Sequence, residues 1–162
     1  MAELRLEAPN PKQAEFLRAR ARFIDYGGAR GGGKSWAVRA KASLLSLRFP
    51  GIRELLLRRT YPELKENHVL PLRKLLKDIA VYKEGDKVFE FPNGSRLKLG
   101  YLDSESDVLQ YQGQEYDVIF LDEATQFTEF QFNILTVCLR GANSFPKRMY
   151  LTCNPGGVGH AW

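Results

Sequence analysis

Hydrophobic and polar positions along the chain follow two periods, one typical of helices and one typical of strands. Helix formers with apolar residues at helical spacing predict helices at 11–20, 34–47, 62–78 and 129–139. Short, nearly continuous apolar runs predict strands at 22–26, 54–58, 117–121 and 148–152. Because helices and strands alternate, the pattern indicates an α/β fold with a mainly parallel sheet flanked by helices. Ligands of such folds bind at the carboxyl ends of the strands.

The stretch around 80–100 has a different pattern. Apolar and polar residues alternate there, and two pairs of turn residues, Gly85-Asp86 and Asn93-Gly94, divide it. Alternation interrupted by such turns is typical of antiparallel hairpins. We therefore expect an antiparallel hairpin insertion, or flank, beside the parallel sheet.

The composition limits the classes of protein to which the chain can belong. It has 162 residues, of which 44% are hydrophobic and 27% charged, as in a single globular domain. No apolar run approaches the roughly 18 residues of a membrane span, and no secretory signal opens the sequence. The two cysteines, Cys138 and Cys153, lack metal-ligand spacing. These features favour one domain with reduced, buried thiols in a cytosolic compartment.

Positive charge is concentrated at the start of the chain. The net charge is +5, and residues 1–60 carry 13 Lys and Arg against 5 Asp and Glu. A basic region attracts nucleic acid through its phosphates, but solvated helix faces are the more common explanation. Charge alone therefore leaves nucleic-acid binding open.

A glycine-rich segment lies between the predicted strand at 22–26 and the helix that begins at Lys34. Its residues fit the pattern G-x-x-x-x-G-K-[ST] in full. Glycines let the backbone curl so that N–H groups face phosphate oxygens, and the helix N-terminus adds positive potential. In such a loop Lys34 reaches the β- and γ-phosphates, and the Ser35 hydroxyl binds Mg²⁺. The predicted nucleotide-binding residues here are Gly28, Ala29, Arg30, Gly31, Gly32, Gly33, Lys34 and Ser35.

Two acidic residues follow the apolar strand at 117–121. Asp122 stands at the strand end, where a P-loop enzyme holds its magnesium ion, and Glu123 is placed to polarise the attacking water as general base. The other interpretation is a pair of acids at the start of the next helix. Together with the phosphate loop, the pair favours ATP hydrolysis, with Ser35 and Asp122 as the metal residues and Glu123 as a catalytic residue.

Taken together, these segments resemble the large terminase subunits of tailed bacteriophages, which pump DNA into capsids. The similarity extends over almost the whole chain. Besides the phosphate loop and the run at 116–124, which looks like the Walker B motif of the family, it is carried by 10–13, 58–64, 111–113 and 151–157. The last of these segments, followed by 159–162, is the most specific because it is similar to the coupling motif of the family.

This resemblance implies a P-loop ATPase domain that hydrolyses ATP with Mg²⁺ and drives double-stranded DNA into the capsid. Gln13 would read the adenine, and Asn154 would contact the γ-phosphate or the attacking water, with simple turn chemistry as its other interpretation. Arg30 and Lys34 would take part in catalysis. The implied partners are DNA, the portal protein, the small terminase subunit and further copies of the chain in a ring. No membrane partner is expected, and the expected location is the host cytoplasm.

The sequence departs from the family pattern in two respects. Some terminases carry an arginine ahead of the Walker B strand that acts on a neighbour's site, whereas this chain has Gln112 there. Arg140 is an alternative, although a solvated arginine at a helix C-terminus explains it equally well. The chain also ends at Trp162, before any nuclease domain. We therefore expect one ATPase domain over 1–162, truncated at its C-terminus.

Two other functions remain open. Residues 122–125 resemble a helicase motif, so a helicase-type ATPase fragment is one alternative, although 154–157 match the helicase equivalent poorly. A nucleotide-dependent DNA-binding or assembly module without turnover is the other. Replacement of Glu123 by glutamine distinguishes them, because only a hydrolase has turnover to lose.

Other side chains carry weaker signals. His68 is expected on a helix surface. A solvated turn or helix start is expected at three acids, Asp103, Glu105 and Asp107. Core or rim packing, rather than stacking on bases, is expected of three tyrosines, Tyr61, Tyr101 and Tyr111.

Overall fold

A mixed sheet with helices on both faces organises the molecule. The computed structural model describes residues 3–27, 33–141 and 143–153. Its strands are β1 (Phe23–Tyr26), β2 (Arg53–Arg58), β3 (Val81–Lys83), β4 (Val88–Glu90), β5 (Arg96–Tyr101), β6 (Val118–Leu121) and β7 (Arg148–Thr152). Its α-helices are α1 (Pro11–Arg18), α2 (Lys34–Arg48), α3 (Tyr61–Leu64), α4 (Leu70–Leu75) and α5 (Glu129–Val137). A π-helical turn (Lys65–Val69) joins α3 to α4, and 3₁₀ helices cover Glu105–Tyr111 and Ala124–Gln126.

The strands of the described residues are ordered β1-β7-β6-β2-β5-β4-β3. Neighbours from β1 to β5 run parallel, whereas β5, β4 and β3 pair antiparallel. The predicted α/β fold with a mainly parallel sheet is therefore confirmed. The antiparallel hairpin around 80–100 is confirmed as well. It flanks the parallel strands at one edge of the sheet, because β5 also pairs with β2.

Two apolar layers cover the sheet. Side chains of β2 and β6 alternate between its faces, so that Leu56 and Phe120 join one core while Leu55 and Ile119 join the other. The first core is completed by α1, α2 and the segment from α3 to α4, and the second by the 3₁₀ helix at Glu105–Tyr111 and by α5. Burial on both faces explains why these strands are almost continuously apolar. Within the described ranges, every helix is too short or too polar to span a bilayer.

The predicted helices and strands agree closely with those of the structure, but the helix predicted at 62–78 is interrupted. Thr60 caps its start, where its side chain accepts a hydrogen bond from the Glu63 amide. The last helical residue is Leu75. Between these limits the backbone passes from α3 through the π-helical turn to α4.

The π-helical turn has a local cause. Pro71 has no N–H to offer the Asn67 carbonyl four residues before it. That carbonyl instead accepts a hydrogen bond from the Arg39 guanidinium of α2. One residue earlier, the Leu70 N–H donates to the Lys65 carbonyl and closes the wider turn. The proline and the arginine thus explain why the helix widens here, and π-helical turns are often found at functional sites.

Candidate functional site

Several polar side chains meet at the carboxyl ends of the central strands. Asp122 follows β6, Arg58 ends β2 and Thr152 ends β7. Because these strands are parallel neighbours, their carboxyl ends lie at the same edge of the sheet. Ser35, in the first turn of α2, reaches this edge as well. The sequence prediction that Ser35 and Asp122 approach each other agrees with this arrangement.

Asp122 is the centre of the cluster. Its Oδ2 accepts hydrogen bonds from Ser35 Oγ at 2.7 Å, from an Arg58 nitrogen at 2.8 Å and from His68 Nε2 at 2.7 Å. Its Oδ1 accepts the hydroxyl proton of Thr152. Four separate elements therefore converge on a carboxylate that is fully buried.

The surroundings of Asp122 keep it ionised. Burial acts to raise the pKa of this carboxyl, but the His68 hydrogen bond, the Arg58 charge and the Thr152 hydroxyl outweigh burial and hold the pKa well below its ordinary value. The ion pair with Arg58, at 2.8 Å, lies in the same buried region. An ionised carboxylate without direct solvent contact is consequently a permanent feature of this site near neutral pH.

His68 corrects the sequence prediction. It was expected on a helix surface, but it is fully buried in the π-helical turn and bonded to Asp122. Burial lowers the pKa of His68 despite the nearby carboxylate, so we assign the neutral ring with its proton on Nε2. The spacing of Leu64, His68 and Leu72 at four-residue intervals places the histidine on the apolar face of the helix. That spacing is the signal that could have predicted its burial.

Arg58 is the other site residue whose role the sequence did not indicate. Besides Asp122, it contacts Glu63 Oε2 at 2.9 Å. Thr60 donates to the other oxygen of Glu63 at 2.8 Å. Burial acts to raise the pKa of Glu63, but the hydrogen bonds from Thr60 and Arg58 lower it overall. The arginine thus joins two carboxylates, one inside the site and one at its rim.

Glu123 adopts an unusual backbone conformation. Its φ of 60° and ψ of 55° are left-handed, and its N–H donates to Thr152 Oγ1 at 3.0 Å. A non-glycine residue in this region costs roughly 1–3 kcal/mol, and such strain is concentrated at functional sites. Thr152 thereby binds both acidic residues, because its hydroxyl also donates to Asp122. The structure places Glu123 directly beside the buried carboxylate, where the sequence predicts a general base.

Gln13 lies against the end of the glycine-rich loop. Its Nε2 donates to the Gly33 carbonyl at 3.2 Å, and its Oε1 accepts from the Asn10 amide at 2.9 Å. Gly33 has a φ of 73°, and a Cβ at this position would lie 2.2 Å from Gln13 Nε2. Only glycine fits here without displacing Gln13. The predicted adenine reader is therefore brought to the loop that the sequence predicts to bind phosphate.

The structure describes some of the other predicted site residues but not all of them. Lys34 begins α2 and is buried beside the loop. Predictions for the remaining loop residues and the coupling segment concern residues outside the described ranges: Gly28, Ala29, Arg30, Gly31, Gly32 and Asn154. Gln112 is exposed at the end of a 3₁₀ helix, and the exposed Arg140 lies 3.7 Å from Glu115.

Several weaker predictions are confirmed. The acids at 103–107 lie at the start of a 3₁₀ helix, where Ser104 and Asp107 form a capping box. Tyr111 is buried, and the rings of Tyr61 and Tyr101 pack 5.4 Å apart. Of the two thiols, Cys138 is buried, whereas Cys153 is partly exposed. The predicted burial thus holds fully for only one of the cysteines.

The residues at this edge fit a magnesium ion bound together with phosphate. Ser35 donates its proton to Asp122, which leaves the hydroxyl lone pairs for a cation. Asp122 Oδ2 already accepts hydrogen bonds from Ser35, Arg58 and His68, so the carboxylate suits a supporting position behind Ser35. Among the described residues, no group of three or more His, Cys, Asp or Glu could hold a metal by itself. Magnesium in phosphate sites commonly takes only one or two protein ligands, so the two observations agree.

Comparisons with solved structures show the same fold in phage terminases. The large terminase of a thermophilic bacteriophage matches with a TM-score of 0.75 and 20% identity over 92% of this chain and 40% of that chain. The HK97 bacteriophage large terminase matches with a TM-score of 0.68 and 17% identity over 92% of this chain and 33% of that chain. A Thermus phage large terminase ATPase domain gives 0.65 and 16% over 92% of this chain and 66% of that chain. At these identities the likeness establishes the fold alone.

The chain thus spans 40% of the thermophilic phage protein. Among curated proteins, no sequence matches it. Residues 25–161 match the family model of the terminase large subunit, T4likevirus-type, N-terminal. This match confirms the family resemblance that the motifs predict. Because it extends over far more than half of the sequence, the chain belongs to the T4-like type of the terminase large subunit family.

Proposed function

We propose that this chain is an ATPase domain that binds ATP with Mg²⁺ and hydrolyses it. The observation that carries the proposal is the hydrogen bond of 2.7 Å between Ser35 Oγ and Asp122 Oδ2. It joins the helix after the glycine-rich loop to the carboxylate after β6, as a nucleoside triphosphatase with a phosphate loop requires. Family membership and the fold shared with a Thermus phage terminase ATPase domain support the same function.

Each residue has a distinct part in the proposed reaction. Lys34, at the start of α2, contacts the β- and γ-phosphates, and backbone N–H groups of 28–33 surround them. Ser35 offers its lone pairs to the metal while Asp122 holds the serine proton. A bound Mg²⁺ supplies positive charge that offsets the charge developing on the phosphates. Glu123 accepts a proton from the attacking water as general base.

Three further residues contribute in this proposal. Gln13 contacts the adenine from α1, close to the end of the loop. Asn154 lies two residues beyond Thr152, whose hydroxyl binds both Asp122 and the Glu123 amide, and it contacts the γ-phosphate or the attacking water. Arg30 adds positive charge at the phosphates, where arginines stabilise the transition state. Solved complexes of the thermophilic phage terminase with ADP and with ATP-gamma-S share the fold, which supports nucleotide binding by this chain.

We further propose that hydrolysis drives double-stranded DNA into a capsid in the host cytoplasm. The partners would be DNA, the portal protein, the small terminase subunit and other copies of the chain in a ring. Membership of the terminase family is the support for these partners. On this proposal residues 1–162 belong to one ATPase domain.

Phosphate release from ATP tests the proposal, with Glu123→Gln as the diagnostic variant. We expect Mg²⁺-dependent turnover by the wild-type protein and a loss of at least about 100-fold in the variant, since general-base catalysis contributes roughly 10²–10⁴-fold. Binding of a fluorescent ATP analogue should persist in the variant. Glu84→Gln, at an exposed acid of the hairpin, is the matched control and should retain full turnover. Nucleotide binding without turnover in the wild-type protein would contradict the hydrolase and favour a binding module.

A further inference from the structure

His68 is an unusual residue to find in the core of this fold. It lies on the apolar face of its helix, fully buried, between the apolar positions Leu64 and Leu72. Its Nε2 contacts Asp122 at 2.7 Å, whereas its Nδ1 has no hydrogen-bond partner among the described residues. A buried polar atom without a partner destabilises the fold, and a leucine would fill the position without that cost. The polar contact of this histidine is therefore directed at Asp122.

We propose that His68 is a positioning residue for the magnesium–nucleotide site, acting through Asp122 to orient the Ser35 hydroxyl. The inference rests on the proposed function. The geometry explains why a third donor matters. If Asp122 Oδ2 is held by His68, it stays within 2.7 Å of Ser35 Oγ and keeps the serine proton directed away from the cation. The hydroxyl lone pairs then face the cation when nucleotide binds.

Arg58 donates to the same oxygen of Asp122, but it does not serve Asp122 alone. Its guanidinium is shared between Asp122 and Glu63, and Glu63 lies at the partly exposed rim. Arg58 thus divides its hydrogen bonds between two carboxylates, whereas His68 is directed at Asp122 and is enclosed by the core. Thr152 holds only the other oxygen of the carboxylate. His68 is thus the donor to Oδ2 that lies wholly inside the core and contacts no other carboxylate.

The π-helical turn couples His68 to the helix that carries Ser35. Arg39 lies four residues after Ser35 on α2, and therefore on the same face of the helix. Its guanidinium donates to the carbonyl of Asn67, the neighbour of His68. Ser35 and His68 therefore approach Asp122 as parts of one connected unit. The imidazole that contacts the carboxylate lies within this wide turn.

The gain in nucleotide affinity that Mg²⁺ produces is the quantity to measure. Binding of a fluorescent ATP analogue is titrated with Mg²⁺ and with EDTA, in Glu123→Gln protein so that no turnover interferes. His68→Leu should reduce the Mg²⁺-dependent gain by about 10-fold, because loss of a residue that orients a metal ligand typically costs 10–100-fold in metal affinity. The affinity without Mg²⁺ should not change. A purely structural histidine would alter both affinities or neither.

Two further variants, His68→Gln and His68→Asn, test the inference if His68→Leu folds poorly. The amide nitrogen of a glutamine reaches close to the position of Nε2, whereas that of an asparagine ends nearer Nδ1. His68→Gln should restore most of the Mg²⁺-dependent gain and His68→Asn should not, at comparable melting temperatures. Equal Mg²⁺-dependent gains in nucleotide affinity for His68→Gln, for His68→Asn and for the protein that keeps His68 would overturn the inference. If the Glu123→Gln protein that keeps His68 shows no Mg²⁺-dependent nucleotide binding, the proposed function is refuted instead.

Discussion

Asp122 and Glu54 are buried carboxyl groups near opposite ends of two neighbouring parallel strands, and the fold shifts their pKa values in opposite directions. Asp122 is 0% exposed and Glu54 is 1% exposed, so burial does not distinguish them. Asp122 receives hydrogen bonds from Ser35, Arg58, His68 and Thr152, and its pKa is lowered. Burial raises the pKa of Glu54 well above its ordinary value, against the opposing effect of the Ser46 hydrogen bond.

Hydrogen-bond donors and nearby positive charge, rather than depth of burial, decide which form of a buried acid is favoured. Glu54 accepts from Ser46 at one oxygen, while its Oε1 has no hydrogen-bond partner in the described part of the chain. One hydroxyl does not offset the desolvation of a carboxylate. At Asp122, an arginine and several donors do. The surroundings of Asp122 thus favour its charged form, whereas those of Glu54 favour its neutral form.

The largest difference in stability between the two acids should appear when each is replaced by its amide, which cannot ionise. Asp122→Asn removes the charge that faces Arg58 in a buried pair, so we expect a loss of about 3 kcal/mol in the free energy of unfolding. Mg²⁺-dependent nucleotide binding should be lost with it. Below the unfolded pKa of Glu54, roughly 4.3, this carboxyl is protonated in both states, so Glu54→Gln should change stability there by less than about 1 kcal/mol. Urea unfolding checks both variants, and equal losses would contradict the opposite pKa shifts of the two acids.

The pH dependence of stability should have opposite signs at the two acids. The pKa of Glu54 is raised in the fold, so its contribution is present below its unfolded pKa of roughly 4.3 and is lost as pH rises. Glu54→Gln should therefore gain stability over wild type at up to about 1.4 kcal/mol per pH unit above that value.

The pKa of Asp122 is lowered, so its contribution is present above the unfolded pKa of roughly 3.9 and is lost as pH falls. Because Asp122→Asn has no carboxyl group to protonate at this position, it should not show that loss of stability as pH falls. Urea unfolding from about pH 3 to about pH 8 measures both slopes. Parallel pH profiles of the wild-type protein and the Glu54→Gln variant would show that Glu54 is ionised in the fold.

Two glycines with left-handed backbones offer a further comparison, for which we expect the smallest effects. Gly33 immediately precedes α2 beside the proposed nucleotide site, and Gly51 lies between α2 and β2. Their φ values are 73° and 78°. Alanine at either position should cost about 1–2 kcal/mol for the left-handed backbone. Only at Gly33 would the added Cβ collide with Gln13, because nothing in the described part of the chain lies within 4 Å of a Cβ at Gly51.

Gly33→Ala should therefore weaken nucleotide binding as well as the fold, whereas Gly51→Ala should affect the fold alone. Binding of the fluorescent ATP analogue and thermal unfolding are measured on both variants. The same affinity in the two variants would mean that the contact between Gln13 and Gly33 has no part in binding nucleotide.

Local patterns predicted most of the fold. The apolar runs of β2, β6 and β7 and the helical spacing of α2 identified these elements almost to the residue. The turn signals at Gly85 and Asn93 predicted the antiparallel strands. The widening of the helix after Leu64 was missed, because it depends on Arg39 from another helix as well as on Pro71. A proline in a helix predicts a disturbance but not which donor will take the freed carbonyl.

The order of helices and strands, the phosphate-loop pattern and the acidic pair after β6 can be predicted from the amino-acid sequence, because periodicity and short motifs are local properties. Which side chains meet at Asp122 depends instead on how distant parts of the chain pack together. His68 and Arg58 lie 54 and 64 residues away from it in the chain. Their approach depends on strand order and on which helix face packs inward, and both are settled by burial of the whole core. His68, whose residue type favours a helix surface, is thus part of the site because its helix packs the face that carries Leu64 and Leu72 against the core.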